Sequence, residues 1–311
     1  MEGIVVKSTG SWYEIKTKQG KRVNARLKGK FRLKGIKSTN PVAVGDRVLF
    51  EEEGDEAVIY QIKDRKNYII RKSINLSKQV QILAANVDQL FLIVTLENPV
   101  TTLGFIDRFL VGAEAYRIPA ILVFNKIDLL QTESQQLKLS EWINKYESVG
   151  YVCLQVSAEQ ELGLDALKNK MKDKLNILSG NSGVGKSTLI NKLDKNLDLR
   201  VNKISDYHKS GQHTTTFAEL FELEFGGDII DTPGIKGFGN VEIEKEELAH
   251  YFPEMRALLN ACKFNNCVHI NEPNCAIKEA VERGEIQKSR YQNYLSIYSE
   301  DDEETFRAKG Y

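Results

Sequence analysis

Gly180-Asn181-Ser182-Gly183-Val184-Gly185-Lys186-Ser187 fits the pattern G-x-x-x-x-G-K-[ST] at every fixed position. That spacing holds phosphate: the glycines let successive backbone N–H groups close around a β-phosphate, and Lys186 can reach the β and γ oxygens. Ser187 offers a hydroxyl to Mg²⁺, and Thr188 continues the chain into a helix. Asn125-Lys126-Ile127-Asp128 reads N-K-x-D. Its aspartate presents two acceptor oxygens to the N1–H and N2–H₂ donors of guanine. Ser157-Ala158 matches the short loop that braces guanine from its other side.

Asp231-Thr232-Pro233-Gly234 matches D-x-x-G, in which the aspartate holds Mg²⁺ through water and the glycine N–H meets the γ-phosphate. Gly211-Gln212-His213-Thr214-Thr215-Thr216 lies between the phosphate loop and D-x-x-G, where a first switch segment belongs. A threonine there completes the Mg²⁺ shell. Thr214, Thr215 and Thr216 are all candidates, and Thr215 is taken with Ser187 and Asp231 as the Mg²⁺ set. The residue after D-x-x-G is Ile235, where Ras-like enzymes place a glutamine that orients the attacking water. His213 is the nearby replacement, since a neutral imidazole can accept a proton from water. The alternative is a loop histidine making a structural hydrogen bond.

A second chemistry is written in Cys262-x₄-Cys267-x-His269-x₅-Cys275. Three thiolates and one imidazole suit tetrahedral Zn²⁺, and four filled positions leave none for water, so the expectation is one structural zinc. The alternative is a cluster of buried free thiols beside a chance histidine. Cysteines grouped this closely, in a chain with four in all, argue for metal rather than disulfides.

These residues need strands to deliver them. Gln89–Thr95, Ala120–Phe124, Tyr151–Val156 and Leu175–Leu178 read as buried strands of a parallel sheet, with Asp228–Ile230 a further one. Leu103–Tyr116, Glu133–Tyr146, Leu164–Lys172 and Thr188–Leu193 read as the intervening helices. Such alternation predicts an α/β core whose ligands sit outside the carboxyl ends of the strands, where the motifs fall. Guanine-binding chains normally run from phosphate loop to base-recognition motif. Here the order is inverted, so the domain reads as circularly permuted.

Ahead of this core, Gly3–Lys7, Trp12–Thr17, Lys21–Leu27, Arg47–Glu53 and Ala57–Ile62 read as five short strands. They suit a small barrel, an OB-fold or, from pattern alone, an SH3-like one. Arg65–Gln79 reads as a linker. Past the core, helices are expected around Lys245–Leu259 and Ala276–Glu282, pinned by the metal.

The chain has 311 residues, 41% hydrophobic and 28% charged, which is globular composition with room for two or three domains. No apolar run approaches a membrane span, and the first residues lack signal-peptide order, so the cytoplasm is the expected compartment. Net charge is zero, yet residues 1–80 hold 18 Lys/Arg against 9 Asp/Glu, and Lys21–Lys37 carries eight basic residues and no acid. With Phe31, Trp12 and Tyr13 close by, this reads as a nucleic-acid footprint more than a solvated charge run. The acidic tail from Glu300 reads as frayed.

Taken together, these motifs resemble the ribosome small subunit-dependent GTPase A family (the RsgA/YjeQ type) over essentially the whole length. The resemblance implies a fold: a circularly permuted P-loop GTPase core with an N-terminal OB-fold β-barrel and a C-terminal helical zinc-binding domain. The expected boundaries are 1–70, 71–240 and 241–311. It also implies late maturation of the small (30S) ribosomal subunit through its 16S rRNA, with GTP hydrolysis stimulated by that subunit, and a catalytic histidine matching His213. GTP and GDP, Mg²⁺ and one Zn²⁺ are the expected ligands, and a monomer the expected state. Two other readings compete: a metabolic or transport-linked nucleotidase with an incidental basic barrel, and an RNA-binding scaffold that uses nucleotide only to fold.

Overall fold

The computed structural model describes residues 1–10, 12–28, 40–54, 56–72, 80–195, 197, 218–231 and 243–300. Five strands open the chain: β1 (Glu2–Ser8), β2 (Tyr13–Thr17), β3 (Arg22–Leu27), β4 (Arg47–Glu53) and β5 (Glu56–Ile62). They pair in the order β1-β2-β3-β5-β4, and β4 returns to β1 to close a barrel. Only β3–β5 is parallel. That closed five-strand arrangement is the OB type rather than the SH3-like alternative. Alternation does the sorting: Tyr13, Ile15 and Thr17 of β2 point inward, while Glu14 and Lys16 stay partly exposed. Phe50, Val48, Ile59 and Val5 fill the centre.

The described part of the expected linker, residues 65–72, is not one. Tyr68–Lys72 (β6) pairs antiparallel with Val80–Ala85 (β7), burying Ile69 and Ile82. The strands read Tyr-Ile-Ile-Arg-Lys and Val-Gln-Ile-Leu-Ala-Ala, and the register shifts between Ile69 and Ile70, so no clean alternation marks them in the sequence. The hairpin ties the barrel to the α/β core. Arg65 holds Asp46 through two bonds of 2.6 Å, and both side chains are buried. Val44 forms a bridge to Ala84.

The core sheet contains β8 (Gln89–Val94), β9 (Ala120–Phe124), β10 (Val152–Gln155), β11 (Leu175–Ser179), β12 (Glu219–Glu222) and β13 (Asp228–Asp231). Its order is β10-β9-β8-β11-β13-β12, parallel except for β12. Helices α1 (Leu103–Ala115) and α2 (Glu133–Glu147) cover one face, while α3 (Leu164–Met171) and α4 (Lys186–Leu193) cover the other. Strand β8 explains its unbroken apolar sequence. Leu90, Leu92 and Val94 pack toward α1 and α2, and Phe91 and Ile93 pack toward α3 and α4.

Strand β12 continues the sheet into the barrel through Lys7↔Glu219. Lys7–Glu219 at 3.0 Å, Lys16–Glu222 at 2.5 Å and Arg22–Glu222 at 3.3 Å reinforce that seam. Four residues reading Glu-Leu-Phe-Glu are too short for periodicity to announce a strand.

The expected helix over Lys245–Leu259 is broken. A 3₁₀ turn spans Lys245–Tyr251, the short helix α5 spans Pro253–Arg256, and a second 3₁₀ turn spans Leu259–Ala261. Pro253 lacks an N–H and pushes Phe252 out of helical conformation, to φ −109° and ψ 106°. Ala276–Glu282 is helical as expected (α6), and a further helix, α7, spans Lys288–Ser299. The inward face of α7 is built from Arg290, Tyr291, Tyr294 and Tyr298, which a search for aliphatic residues passes over. Among the described residues no helix is long and apolar enough to cross a membrane.

Candidate functional site

The carboxyl ends of β8, β9, β10, β11 and β13 bring the motifs together. β11 ends at Ser179 and turns through Gly180 at φ +146°, where a Cβ would lie 2.4 Å from the Ile93 carbonyl oxygen. Gly185, at φ +92°, caps α4 in the left-handed region, and a Cβ there would lie 2.5 Å from Asn125 Nδ2. Both positions therefore require glycine. Helix α4 starts at Lys186, so its unpaired N–H groups and the positive end of its dipole face the loop. Val184 is fully buried and anchors the loop from below, while Ser182, Gly183, Ser187 and Thr188 are at least partly exposed. Lys186 Nζ donates to the carbonyls of Gly180 at 2.6 Å and Asn181 at 2.7 Å, so the ammonium already spans the loop.

The Asn125–Asp128 segment packs directly on that loop. Asn125 Nδ2 donates to the Val184 carbonyl at 2.8 Å, and Asn125 Oδ1 accepts from the Ala158 amide at 3.1 Å. Lys126, at φ +64°, sends its Nζ to the carbonyls of Gly183 at 2.8 Å and Asn98 at 2.5 Å. Ile127 donates from its backbone to Val156 O at 3.3 Å. Ser157 is fully buried, and its Oγ accepts from the Gln160 amide at 3.0 Å.

Asp128 supplies the decisive detail. Its Oδ1 is buried and has no hydrogen-bond partner among the described residues. A buried carboxylate oxygen without a donor is costly, and a ligand bearing two adjacent N–H donors would satisfy it. Guanine presents that pair.

Asp231 ends β13, beside β11, so its carboxylate sits at the same edge of the sheet as the phosphate loop. Gly211–Thr216, with His213 and Thr215, and Thr232–Gly234 lie outside the described residues, as do Lys30–Lys37 of the basic stretch. The motifs gave no sign of the loop Glu97–Val100. Thr95 Oγ1 donates to Pro99 O at 2.5 Å and Thr95 N to Thr101 Oγ1 at 3.1 Å. The pinned Pro99 ring stands 3.4 Å from where a Gly183 Cβ would be. One signal was available: the loop follows the apolar strand β8, whose end must converge with those of β9 and β11.

The second cluster is assembled by the turns between α5 and α6. The ligating atoms of Cys262, Cys267, His269 and Cys275 all lie within 4.8 Å of one another. His269 Nδ1 is 3.6 Å from Cys262 Sγ and 3.4 Å from Cys275 Sγ. A tetrahedral zinc with its usual bond lengths would separate sulfur and nitrogen by about 3.6 Å, so the set fits such an ion. His269 adopts φ +61°, and the loop is held by Glu272, which accepts from the amides of Val268 and Ile270, both at 2.8 Å. Tyr291 donates to His269 O and Tyr294 to Val268 O, each at 2.7 Å. Burial pushes the Cys267 thiol up to about 12 and raises Cys275, and it lowers His269, keeping the imidazole neutral. A neutral imidazole is ready to ligate, whereas the thiols need a cation to lose their protons.

Known proteins share this architecture. The RsgA GTPase family model matches residues 62–241, and the RsgA N-terminal domain model matches residues 2–59. A Flavobacterium johnsoniae protein named small ribosomal subunit biogenesis GTPase RsgA is 56% identical, covering 100% of this chain and 96% of the relative. A similarly named Bacteroides thetaiotaomicron protein, RsgA 2, is 52% identical over 99% of each. Among solved structures, YjeQ from Thermotoga maritima is 37% identical with a TM-score of 0.78, covering 96% of both chains. YloQ, described as a circularly permuted GTPase, is 30% identical with a TM-score of 0.75, covering 100% of this chain and 96% of the other. Matches of this identity over this length leave one conclusion: the chain belongs to the RsgA GTPase family and is a circularly permuted GTP hydrolase.

Proposed function

We propose that this GTPase acts in late maturation of the small (30S) ribosomal subunit, binding its 16S rRNA, and that the subunit stimulates GTP hydrolysis. What carries this reading is likeness along the full length to relatives named for small-subunit biogenesis. The barrel region supports it, since residues 1–80 concentrate basic charge in a chain whose net charge is zero and whose remainder is acidic. The cytoplasm is the corresponding compartment and a monomer the corresponding state. The functional units run over 1–70, 71–240 and 241–311.

In this reading Asp128 takes the guanine N1–H and N2–H₂ on its buried Oδ1 and its partner oxygen. Ser157 and Ala158 close the base from the other side. Backbone amides of Gly180–Thr188 and the Lys186 ammonium gather the phosphates, and Gly234 meets the γ-phosphate. Ser187, Thr215 and Asp231 hold Mg²⁺, which when bound neutralises charge on the β and γ oxygens. His213 takes a proton from the attacking water, a role that Ile235 cannot fill. Cys262, Cys267, His269 and Cys275 hold one structural Zn²⁺.

Switching depends on the γ-phosphate. With GTP bound, Thr215 and Gly234 are held in place; loss of phosphate releases them. Residues 232–242 run into the metal-binding region, and β12, which comes after the first switch, pairs with barrel strand β1. Both RNA-facing units are thus attached to switch segments.

The test is GTP hydrolysis with and without purified small subunits. Stimulation by small but not large subunits is the expected result. Equal turnover in both, with ATP accepted as well as GTP, would move the assignment to a metabolic nucleotidase. Equal affinity of the GTP and GDP forms for the small subunit would refute the switching account.

A further inference from the structure

We infer that the guanine-nucleotide site and the Cys₃His metal site are energetically coupled through α1 and α7, by a route separate from the switch segments. The inference rests on reading residues 125–128 and 180–188 as the nucleotide site and 262–275 as a zinc site.

The route can be traced contact by contact. At the nucleotide end, Lys126 Nζ joins Gly183 O of the phosphate loop to Asn98 O. The Glu97–Val100 loop runs directly into α1, whose N-cap Thr102 accepts from the Phe105 amide. On the second turn of that helix stands Asp107, fully buried. Arg290 of α7 donates to Asp107 Oδ1 at 2.7 Å and grips Glu254 of α5 with two further bonds, at 2.7 and 2.9 Å. Asn293 of α7 donates to Asp107 Oδ2 at 2.5 Å. One residue further on, and two residues earlier, α7 holds the metal loop: Tyr294 bonds Val268 O and Tyr291 bonds His269 O.

Burial makes this junction all-or-none. Arg290 is 1% exposed and lies over Phe252 at 5.0 Å, with Tyr146 of the core at 5.7 Å and Tyr151 at 5.9 Å. Val111 of α1 belongs to the same apolar cluster as Ile277, Tyr294 and Cys275. A buried charge that loses one partner is strongly disfavoured, so α7 cannot slide along α1; it is either seated or displaced. An ordered metal loop holds both tyrosines and seats α7. A filled phosphate loop holds Lys126 and the Asn98 segment and so seats α1. Whatever tightens one site must tighten the other by the same factor.

The experiment measures both directions in the full-length protein. GDP affinity is titrated by fluorescence on zinc-loaded protein and on protein stripped with a zinc-selective chelator, with Mg²⁺ constant and zinc content checked by elemental analysis. Zinc affinity is then measured by competition with a chromogenic chelator, with and without saturating GDP. The expected result is that zinc tightens GDP by at least about fivefold and that GDP tightens zinc by the same factor. In Arg290→Met, which removes the charge while keeping a long side chain, and in Asp107→Asn, the factor should fall toward one while zinc and GDP are each still bound. Affinities equal within about twofold in both wild-type comparisons overturn the coupling, whether or not the variants fold. Undiminished coupling in a folded variant overturns the route. If loaded protein binds no guanine nucleotide, or holds no zinc, the site reading itself fails and the inference falls with it.

Discussion

The Asn125 side-chain amide donates to the Val184 carbonyl at 2.8 Å and joins two motifs 59 residues apart in sequence. Its oxygen simultaneously holds the Ala158 amide. One side chain thus registers the N-K-x-D segment, the G-x-x-x-x-G-K-[ST] loop and the Ser157-Ala158 turn. Permuting the chain leaves this junction intact, because it depends on β9, β8 and β11 lying side by side and not on the order in which they are made.

Asp128→Ala should abolish guanine preference. On the proposed reading the carboxylate makes two hydrogen bonds to the base, each about 1.5–3 kcal/mol where a charge is involved, so GTP affinity should fall on the order of 10²- to 10⁴-fold. Asp128→Asn should lose GTP but gain xanthosine triphosphate, whose 2-oxo group accepts where guanine donates. Competition against a fluorescent GDP analogue measures both. Unchanged GTP affinity in Asp128→Ala would remove this residue from the site.

Gly185→Ala tests the close approach of the two motifs. The new Cβ would sit 2.5 Å from Asn125 Nδ2 on backbone at φ +92°. Left-handed backbone alone costs about 1–3 kcal/mol in a non-glycine residue. Thermal unfolding should come earlier, and GDP binding should weaken more than at Gly150→Ala, a left-handed position with open space around it.

His213→Ala should lower subunit-stimulated turnover by about 10²- to 10⁴-fold, the usual contribution of a positioned base, while GTP affinity stays constant. Full stimulated turnover in this variant would leave His213 a structural loop residue.

Zinc binding should release protons. Burial holds Cys267 at about 12 and raises Cys275, so both are protonated near neutral pH in the metal-free protein, and both must ionise to ligate. His269 is shifted the other way and contributes none at that pH. Protons from both thiols should therefore appear in weakly buffered solution as zinc is added, and zinc affinity should fall as pH is lowered. Proton release measured by indicator dye, with zinc content in parallel, provides the check. Cys275→Ser should lose the ion and loosen α6 and α7, since Cys275 is buried at the start of α6 and packs in the cluster that holds α7.

Legibility tracked the physics of each element. β9 was readable to the residue, because five consecutive buried apolar positions ending at Asn125 have no other use. The barrel strands were readable from alternation and punctuation. β12 and α7 were not: one is four residues long, and the other buries tyrosines and an arginine. The Lys245–Leu259 region misled because apolar spacing continues across Pro253, where the backbone cannot.

By itself the sequence determined the family and its motifs: a G-x-x-x-x-G-K-[ST] loop, an N-K-x-D string, a Cys₃His set, and their inverted order. Those are properties of short segments, whose geometry is set within a few residues by glycine, by strand ends and by side-chain type. Only the tertiary structure decided what those segments touch. Nothing in residue spacing says that Asp107 would meet Arg290 across 183 positions, or that Lys7 would pair with Glu219 across 212. Contacts of that separation arise from how buried faces pack, and many sequences share each local pattern. The inverted motif order was legible from the chain alone; that the metal-binding region seats on α1 emerged only once the chain was folded.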